Sequence, residues 1–196
     1  MAERKATVTR ETKETAVKVE LNIDGKGQFE ITTGIRFLDH MLSQLAQHGM
    51  FDIKLSATGA DQHHVVEDVA ISLGKTFNQA LGDRRGIVRM AHAVVPMDET
   101  LAMVALDIGG RGYAVFEASF GNTSIDGMSA DLIRHFFVSL ASEAKLNIHA
   151  KVRSGVNDHH KAEALFKALA RTLDAATRLD ERIAGRIPST KDTIEG

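Results

Sequence analysis

The pattern His-His-x-x-Glu occurs twice in this chain, as His63-His64-Val65-Val66-Glu67 and as His159-His160-Lys161-Ala162-Glu163. Each copy opens an apolar stretch with helical spacing. Each also follows a short alternating stretch that ends near a glycine, Gly59 or Gly155. One further histidine stands upstream of each copy, His40 in Phe-Leu-Asp-His and His135 in Leu-Ile-Arg-His. Setting His40 on His135 also sets Ile53 on Ile148, and one extra residue before the second glycine brings the two pairs into register. A single His-His pair at a helix start reads as a solvated cap. Two copies in matching context, each with a matching upstream histidine, read as a duplicated metal-binding half-chain.

The alternation supports the same division. Val17, Val19, Leu21 and Ile23 alternate with Lys18, Glu20 and Asn22, which predicts a strand over 16–23. A strand around 6–9 precedes it, and Asp24-Gly25 supplies a turn from which 28–33 returns as a third. The period then changes. Phe37, Leu38, Met41, Leu42 and Leu45 fit one helical face, with Gly49 as the expected C-cap. Residues 51–57 alternate again, and Val66, Val69, Ala70, Leu73, Phe77 and Leu81 form a helical stripe stopped by Gly82. The second half repeats the order: strands over 91–97, 100–107 and 113–120, a helix from 131 to about 143, a strand over 146–153, and a helix from 158 into the 170s. The expectation is an α+β fold of two βββαβα halves, 1–90 and 91–185, with mixed sheets packed against helices. A polar tail, 186–196, reads as a loop. One such half cannot easily cover both faces of its sheet, so the halves should pair into one compact domain.

Composition narrows the chemistry. The chain of 196 residues is 43% hydrophobic and 26% charged, with a formal net charge of −2, so no nucleic-acid or anionic-membrane surface is expected. It has no cysteine, which removes disulfides, thiolate ligands and cysteine nucleophiles and leaves a metal only nitrogen and oxygen. No apolar run approaches the ~20 residues of a membrane span, and the cytoplasm is the expected location.

Adjacent helical residues point about 100° apart, so His63 and His64 diverge toward different ions, as do His159 and His160. Glu67 shares a face with either histidine before it, and Glu163 likewise. The eight groups, His40, His63, His64, Glu67, His135, His159, His160 and Glu163, divide as four per ion for two ions. Mixed imidazole and carboxylate donors suit Mn, Fe, Co or Zn, and leave an octahedral ion open positions for substrate. Neutral imidazole ligands predict metal loss, and disassembly of any assembly the metal holds, below about pH 6. His48, His92 and His149 fall outside the pattern and read as surface or packing residues.

Longer stretches carry a family resemblance. In the first half they are Lys13-Glu14-Thr15, Leu21-Asn22-Ile23-Asp24-Gly25, Gly34-Ile35-Arg36-Phe37-Leu38-Asp39-His40-Met41-Leu42 and His63-His64-Val65-Val66-Glu67-Asp68. In the second they are Pro96-Met97-Asp98-Glu99, Asn157-Asp158-His159-His160-Lys161-Ala162-Glu163-Ala164-Leu165-Phe166-Lys167 and Ile187-Pro188-Ser189-Thr190-Lys191. Over essentially its whole length the chain resembles imidazoleglycerol-phosphate dehydratase, of histidine biosynthesis. The resemblance implies a duplicated α+β unit, two Mn2+ per active site held by the eight ligands, and a 24-subunit homo-oligomer built from trimers with sites between subunits. It implies Glu14 near the reacting carbons and Asp98 in support. Gln44, Arg89, Arg111, Lys167, Ser189 and Lys191 would surround the substrate, most of them at its phosphate, where cations and a hydroxyl suit a dianion. The chain departs from the family at Gly59-Ala60-Asp61-Gln62, a shorter loop before the first pair, and at Val65 in place of Thr. That departure bears on what supports His63 and His64 from behind.

The implied reaction removes water from imidazole-glycerol phosphate to give imidazole-acetol phosphate. Two metals on the two ring nitrogens would stabilise an imidazolate, which expels the neighbouring hydroxyl and acidifies the next C–H; Glu14 would shuttle that proton. Two other classes share the ligand set: a dinuclear metallohydrolase acting on a small phosphate ester, and a non-catalytic metal-binding or shell-forming protein.

Overall fold

The computed structural model of the chain describes residues 3–183 and 185–194. Alternating burial organises the first half. In β2 (Thr15–Asn22), Val17, Val19 and Leu21 are buried while Lys18 is exposed. The same strand pairs antiparallel with β1 (Lys5–Glu11) on one side and β4 (Asp52–Gly59) on the other. β3 (Phe29–Thr32) closes the sheet beside β4, in the order β1-β2-β4-β3. The second half copies this arrangement. β5 (Met90–Met97), β6 (Thr100–Asp107), β10 (Asn147–Ser154) and β7 (Tyr113–Glu117) form a sheet in the order β5-β6-β10-β7. A small hairpin, β8 (Ser124–Ile125) and β9 (Met128–Ser129), has no counterpart among the first half's elements.

The third strand does not return on the second. β3 runs parallel to β4, so β4 separates it from β2. Asp52 accounts for the difference: its carboxylate accepts from the backbone of Lys26 at 2.8 Å and Gln28 at 3.0 Å, and Ile53 N donates to Gln28 O. The segment after the turn is thereby drawn to the outer edge of β4.

Four helices fill the space between the sheets: α1 (Arg36–Gly49), α2 (Gln62–Leu81), α3 (Asp131–Ala144) and α4 (Asp158–Thr177). The apolar stripes read from the sequence are the buried faces, including Phe37, Leu38, Met41, Leu42 and Leu45 on α1. Each helix pairs across the duplication, α1 with α4 and α2 with α3. At Gly74 in α2, a Cβ would stand 3.0 Å from the Leu140 carbonyl of α3, so only glycine admits this approach. Phe136, Phe137 and Phe166 stack with centroids 5.1 to 6.2 Å apart and join α3 to α4. The halves thus share one core, and the helices that carry the His-His pairs lie in its middle layer.

The boundaries differ from the sequence reading at the end of α1 and in β7. Gly49 is the last helical residue of α1, and Met50 caps it at φ 57°, its N–H bonded to Ala46 O. Lys145 does the same after α3 at φ 58°, bonded to Ala141 O. Burial decides the first case, since a Cβ on Gly49 would meet the Phe51 ring at 2.5 Å. β7 ends at Glu117, short of residue 120. The tail is a loop, as expected, and it is anchored: Gly86 N donates to Arg186 O, Arg84 holds Ile194 O, and the Ile194 side chain is buried. Among the described residues no helix is long and apolar enough to cross a membrane.

Candidate metal centre

Both His-His pairs sit in the first turn of a helix because the residue before each helix caps it. Asp61 accepts from His64 N at 3.0 Å, and Asn157 accepts from His159 N and His160 N. In that turn consecutive side chains diverge. His159 turns inward toward α1, where its Nε2 lies 3.0 Å from Glu163 Oε2; His40 Nε2 lies 3.0 Å from the same oxygen. His63, the equivalent of His159, turns toward α3, its ring 4.8 Å from that of His135. His135 Nε2 stands 3.5 Å from Glu67 Oε1. Two triads result, His40/His159/Glu163 and His63/Glu67/His135, each with its ligand atoms within 4.8 Å of one another. Each draws two residues from one half and one from the other, so the duplication is needed to build either. Glu67 therefore works with His63, four residues before it.

The donors fit a divalent cation. His135 Nε2 is buried without a hydrogen-bond partner, and aimed at a carboxylate. Glu163 is buried, yet its pKa falls to about 2. Burial opposes ionisation there, but the Lys167 ammonium at 2.6 Å and the imidazoles of His40 and His159 outweigh it. A carboxylate kept charged between two imidazoles is a ready oxygen ligand.

His64 and His160 point away from both triads. His64 Nε2 faces Glu14 at 3.4 Å and His160 Nε2 faces Asp98 at 3.6 Å. Glu14 lies in the β1–β2 turn and Asp98 in the β5–β6 turn, so the duplication places the two carboxylates equivalently. The Nδ1 atoms are held from behind, His64 by Asp61 at 2.5 Å and His160 by Glu99 at 2.8 Å. Those contacts raise both imidazole pKa values. A carboxylate that accepts from Nδ1–H leaves the Nε2 lone pair for a cation. The short loop before the first pair does not cost His64 its support, because Asp61 both caps the helix and orients the ring. Asp61, Glu99 and Asp126, which takes His159 Nδ1 at 2.5 Å, were not singled out from the sequence. Asp61, one residue before the helix, shows the signal of an N-cap and Asp126-Gly127 that of a tight turn, but neither names the histidine it meets.

The expected substrate groups divide by position. Gln44 lies one turn after His40, with its amide 3.5 Å from His40 Nδ1 and 3.1 Å from His48 Nε2, so His48 packs behind the triad. Lys167 pairs with Glu163, while His92 and His149 are exposed. Arg89, Arg111, Ser189 and Lys191 gather elsewhere. Arg89 donates to both oxygens of Asp107, at 2.7 and 3.0 Å, and to Pro188 O. Ser189 Oγ accepts from Lys191 N, and Arg111 O accepts from Asn147. Because Arg89 N bonds Ala176 O, near the end of α4 remote from His159, about 25 Å of helix separates Arg89 from His159. Among the described residues no hydrogen bond or ion pair joins these four to either triad.

Comparison with known proteins gives one answer. The family model for imidazoleglycerol-phosphate dehydratase matches residues 33–173. A protein of that name from Dehalococcoides mccartyi is 58% identical over 195 residues, covering 100% of both chains. One from Roseiflexus sp. is 54% identical, covering 97% of this chain and 98% of its own. A Staphylococcus aureus structure of that name has a TM-score of 0.83 at 32% identity, covering 90% of this chain and 99% of its own. One from Pyrococcus furiosus has a TM-score of 0.83 at 34% identity, covering 95% and 99%.

Proposed function

The chain belongs to the imidazoleglycerol-phosphate dehydratase family, hydro-lyases of histidine biosynthesis, and from that premise we propose that it dehydrates imidazole-glycerol phosphate with two Mn2+ at sites shared between copies. The observation that carries this reading is the pair of imidazole–carboxylate triads, each assembled from both halves. His40, His159 and Glu163 would hold one ion, and His63, Glu67 and His135 the other. When bound, the ions would supply Lewis acidity to the substrate's azole ring.

The remaining chemistry falls to the chain's own groups. The hydroxyl leaves the carbon attached to the ring and a proton leaves the next carbon, so water is lost and an enol forms that becomes the ketone. Glu14 accepts that proton: it is exposed at the end of the β1–β2 turn, with its carboxylate beside His64. Asp98 supports the equivalent histidine, His160.

Two facts of geometry favour a site completed by a neighbouring copy. His64 and His160 present Nε2 outward, away from both triads of their own chain. Arg89, which holds the tail carrying Ser189 and Lys191, lies about 25 Å of helix from His159, farther than a three-carbon phosphate ester extends. Supplied by a second copy, that group would take the phosphate while Gln44 and Lys167 line the near side. A closed homo-oligomer, a 24-subunit shell of trimers in the cytoplasm, satisfies both requirements.

The test is product analysis with metal-free and Mn-loaded protein. Appearance of imidazole-acetol phosphate only with Mn supports the reading. Release of inorganic phosphate would make the protein a phosphate-ester hydrolase instead, and metal binding without either product would leave a non-catalytic role.

A further inference from the structure

The two triads are related by duplication but are unequally braced. In His40/His159/Glu163, His159 Nδ1 contacts Asp126 Oδ2 at 2.5 Å, Glu163 Oε1 accepts from Lys167 at 2.6 Å, and the Glu163 side chain is 8% exposed. In His63/Glu67/His135, no ring or carboxylate hydrogen-bonds to a side chain outside the triad among the described residues, and the Glu67 side chain is 36% exposed. His63 and His159 occupy equivalent positions, so the difference lies in what surrounds them.

For the two histidines that difference is the β8–β9 hairpin, which has no counterpart among the described residues of the first half. Ile125 pairs with Met128 across a two-residue loop in which Asp126 has φ 46° and Gly127 φ 86°, the type I′ turn favoured by Asp-Gly. The turn aims the Asp126 carboxylate at the start of α4. It is fixed from the other side by Gln62 at the start of α2, whose Nε2 donates to Gly127 O at 2.7 Å and whose Oε1 accepts from Ser129 N. The hairpin is thus wedged between the helix starts that carry the two His-His pairs. It serves one histidine of the equivalent two. A carboxylate at the far nitrogen of a metal-binding imidazole fixes its tautomer and ring angle, and losing one costs about 10–100-fold in metal affinity.

We propose that Asp126 is a positioning residue for His159, and that it makes His40/His159/Glu163 the first of the two triads to fill with a divalent cation. The proposal rests on the two-metal reading. It is tested by titrating the metal-free full-length chain with Mn2+ and following free Mn2+ by electron paramagnetic resonance. Wild type should bind in two unequal steps. Glu163→Gln should remove the tighter step and Glu67→Gln the weaker. Asp126→Gly keeps the positive φ and should weaken the tighter step alone, by about 10–100-fold. Asp126→Asn, which retains an acceptor, should fall between. Equal steps in wild type, an unchanged tight step in Asp126→Gly, equal weakening of both steps, or loss of the tighter step on Glu67→Gln would each overturn the proposal and leave the two-metal reading standing. A wild-type chain that binds no Mn2+ would overturn that reading as well. Thermal unfolding of the metal-free Asp126→Gly chain near that of wild type shows that the hairpin change has not unfolded the protein.

Discussion

Glu163 Oε2 stands 3.0 Å from His40 Nε2 although 123 residues of chain separate them. The contact exists because α1 of one half packs along α4 of the other. Lys167 holds the second Glu163 oxygen, and with it the charge that burial opposes. Replacing Lys167 by Met should leave a buried carboxylate without its ammonium, lowering metal-free stability by about 1–3 kcal/mol in urea unfolding. The same variant should raise KM, because Lys167 also borders the proposed phosphate position.

Glu14→Gln should keep two Mn2+ per chain and near-normal substrate binding while losing most turnover, by about 100-fold or more. The shape and hydrogen-bonding reach of the side chain persist; only the proton acceptor is lost. Turnover close to wild type, measured with metal content on the same sample, would remove Glu14 from the chemistry.

Arg89 holds Asp107 with two hydrogen bonds and Pro188 O with a third, so it fixes the tail that carries Ser189 and Lys191. Lysine cannot reproduce that fork. Arg89→Lys should therefore raise KM by about 10–100-fold, the worth of one or two charge-assisted bonds, and speed proteolysis of the tail. An unchanged KM would argue that the tail and its anchor do not meet substrate.

Acid should also loosen the loop that precedes the β8–β9 hairpin. Asp158 accepts from Gly121 N, Asn122 N and the Lys161 ammonium, and its pKa falls to about 2 despite its burial. A depressed carboxylate contributes stability that is complete above its unfolded value, about 3.9, and is lost as pH falls through the folded value. Asp158→Asn should thus cost about 3 kcal/mol at pH 7, because Lys161 is left buried without its counter-charge. The deficit should shrink as wild type is titrated from about pH 4 toward 2. Urea unfolding of both metal-free proteins across that range measures it.

Much of this architecture was readable from residues in order. Period-two alternation in β2 and the stripe from Phe37 to Leu45 follow from burial of one face, a local rule that sequence displays directly. The double His-His-x-x-Glu named six of the eight candidate ligands, and the offset between halves gave His40 and His135. What stayed hidden was non-local. That β3 lies beside β4 depends on Asp52, more than twenty residues from the atoms it binds. That Glu99 orients His160 and Asp126 orients His159 depends on turns that meet a helix start only once the chain is folded. Eight ligands divide evenly between two ions on paper, yet one chain gathers them three and three. The remaining histidines face outward, which spacing alone could not foretell.

Anomalous diffraction from Mn-soaked crystals tests the central claim most directly. The account predicts two manganese peaks per chain, one within bonding distance of His40, His159 and Glu163 and one of His63, Glu67 and His135, each completed by an outward histidine, His64 or His160, of a neighbouring copy. Peaks placed elsewhere, or triads left without metal at saturating Mn2+, would contradict it.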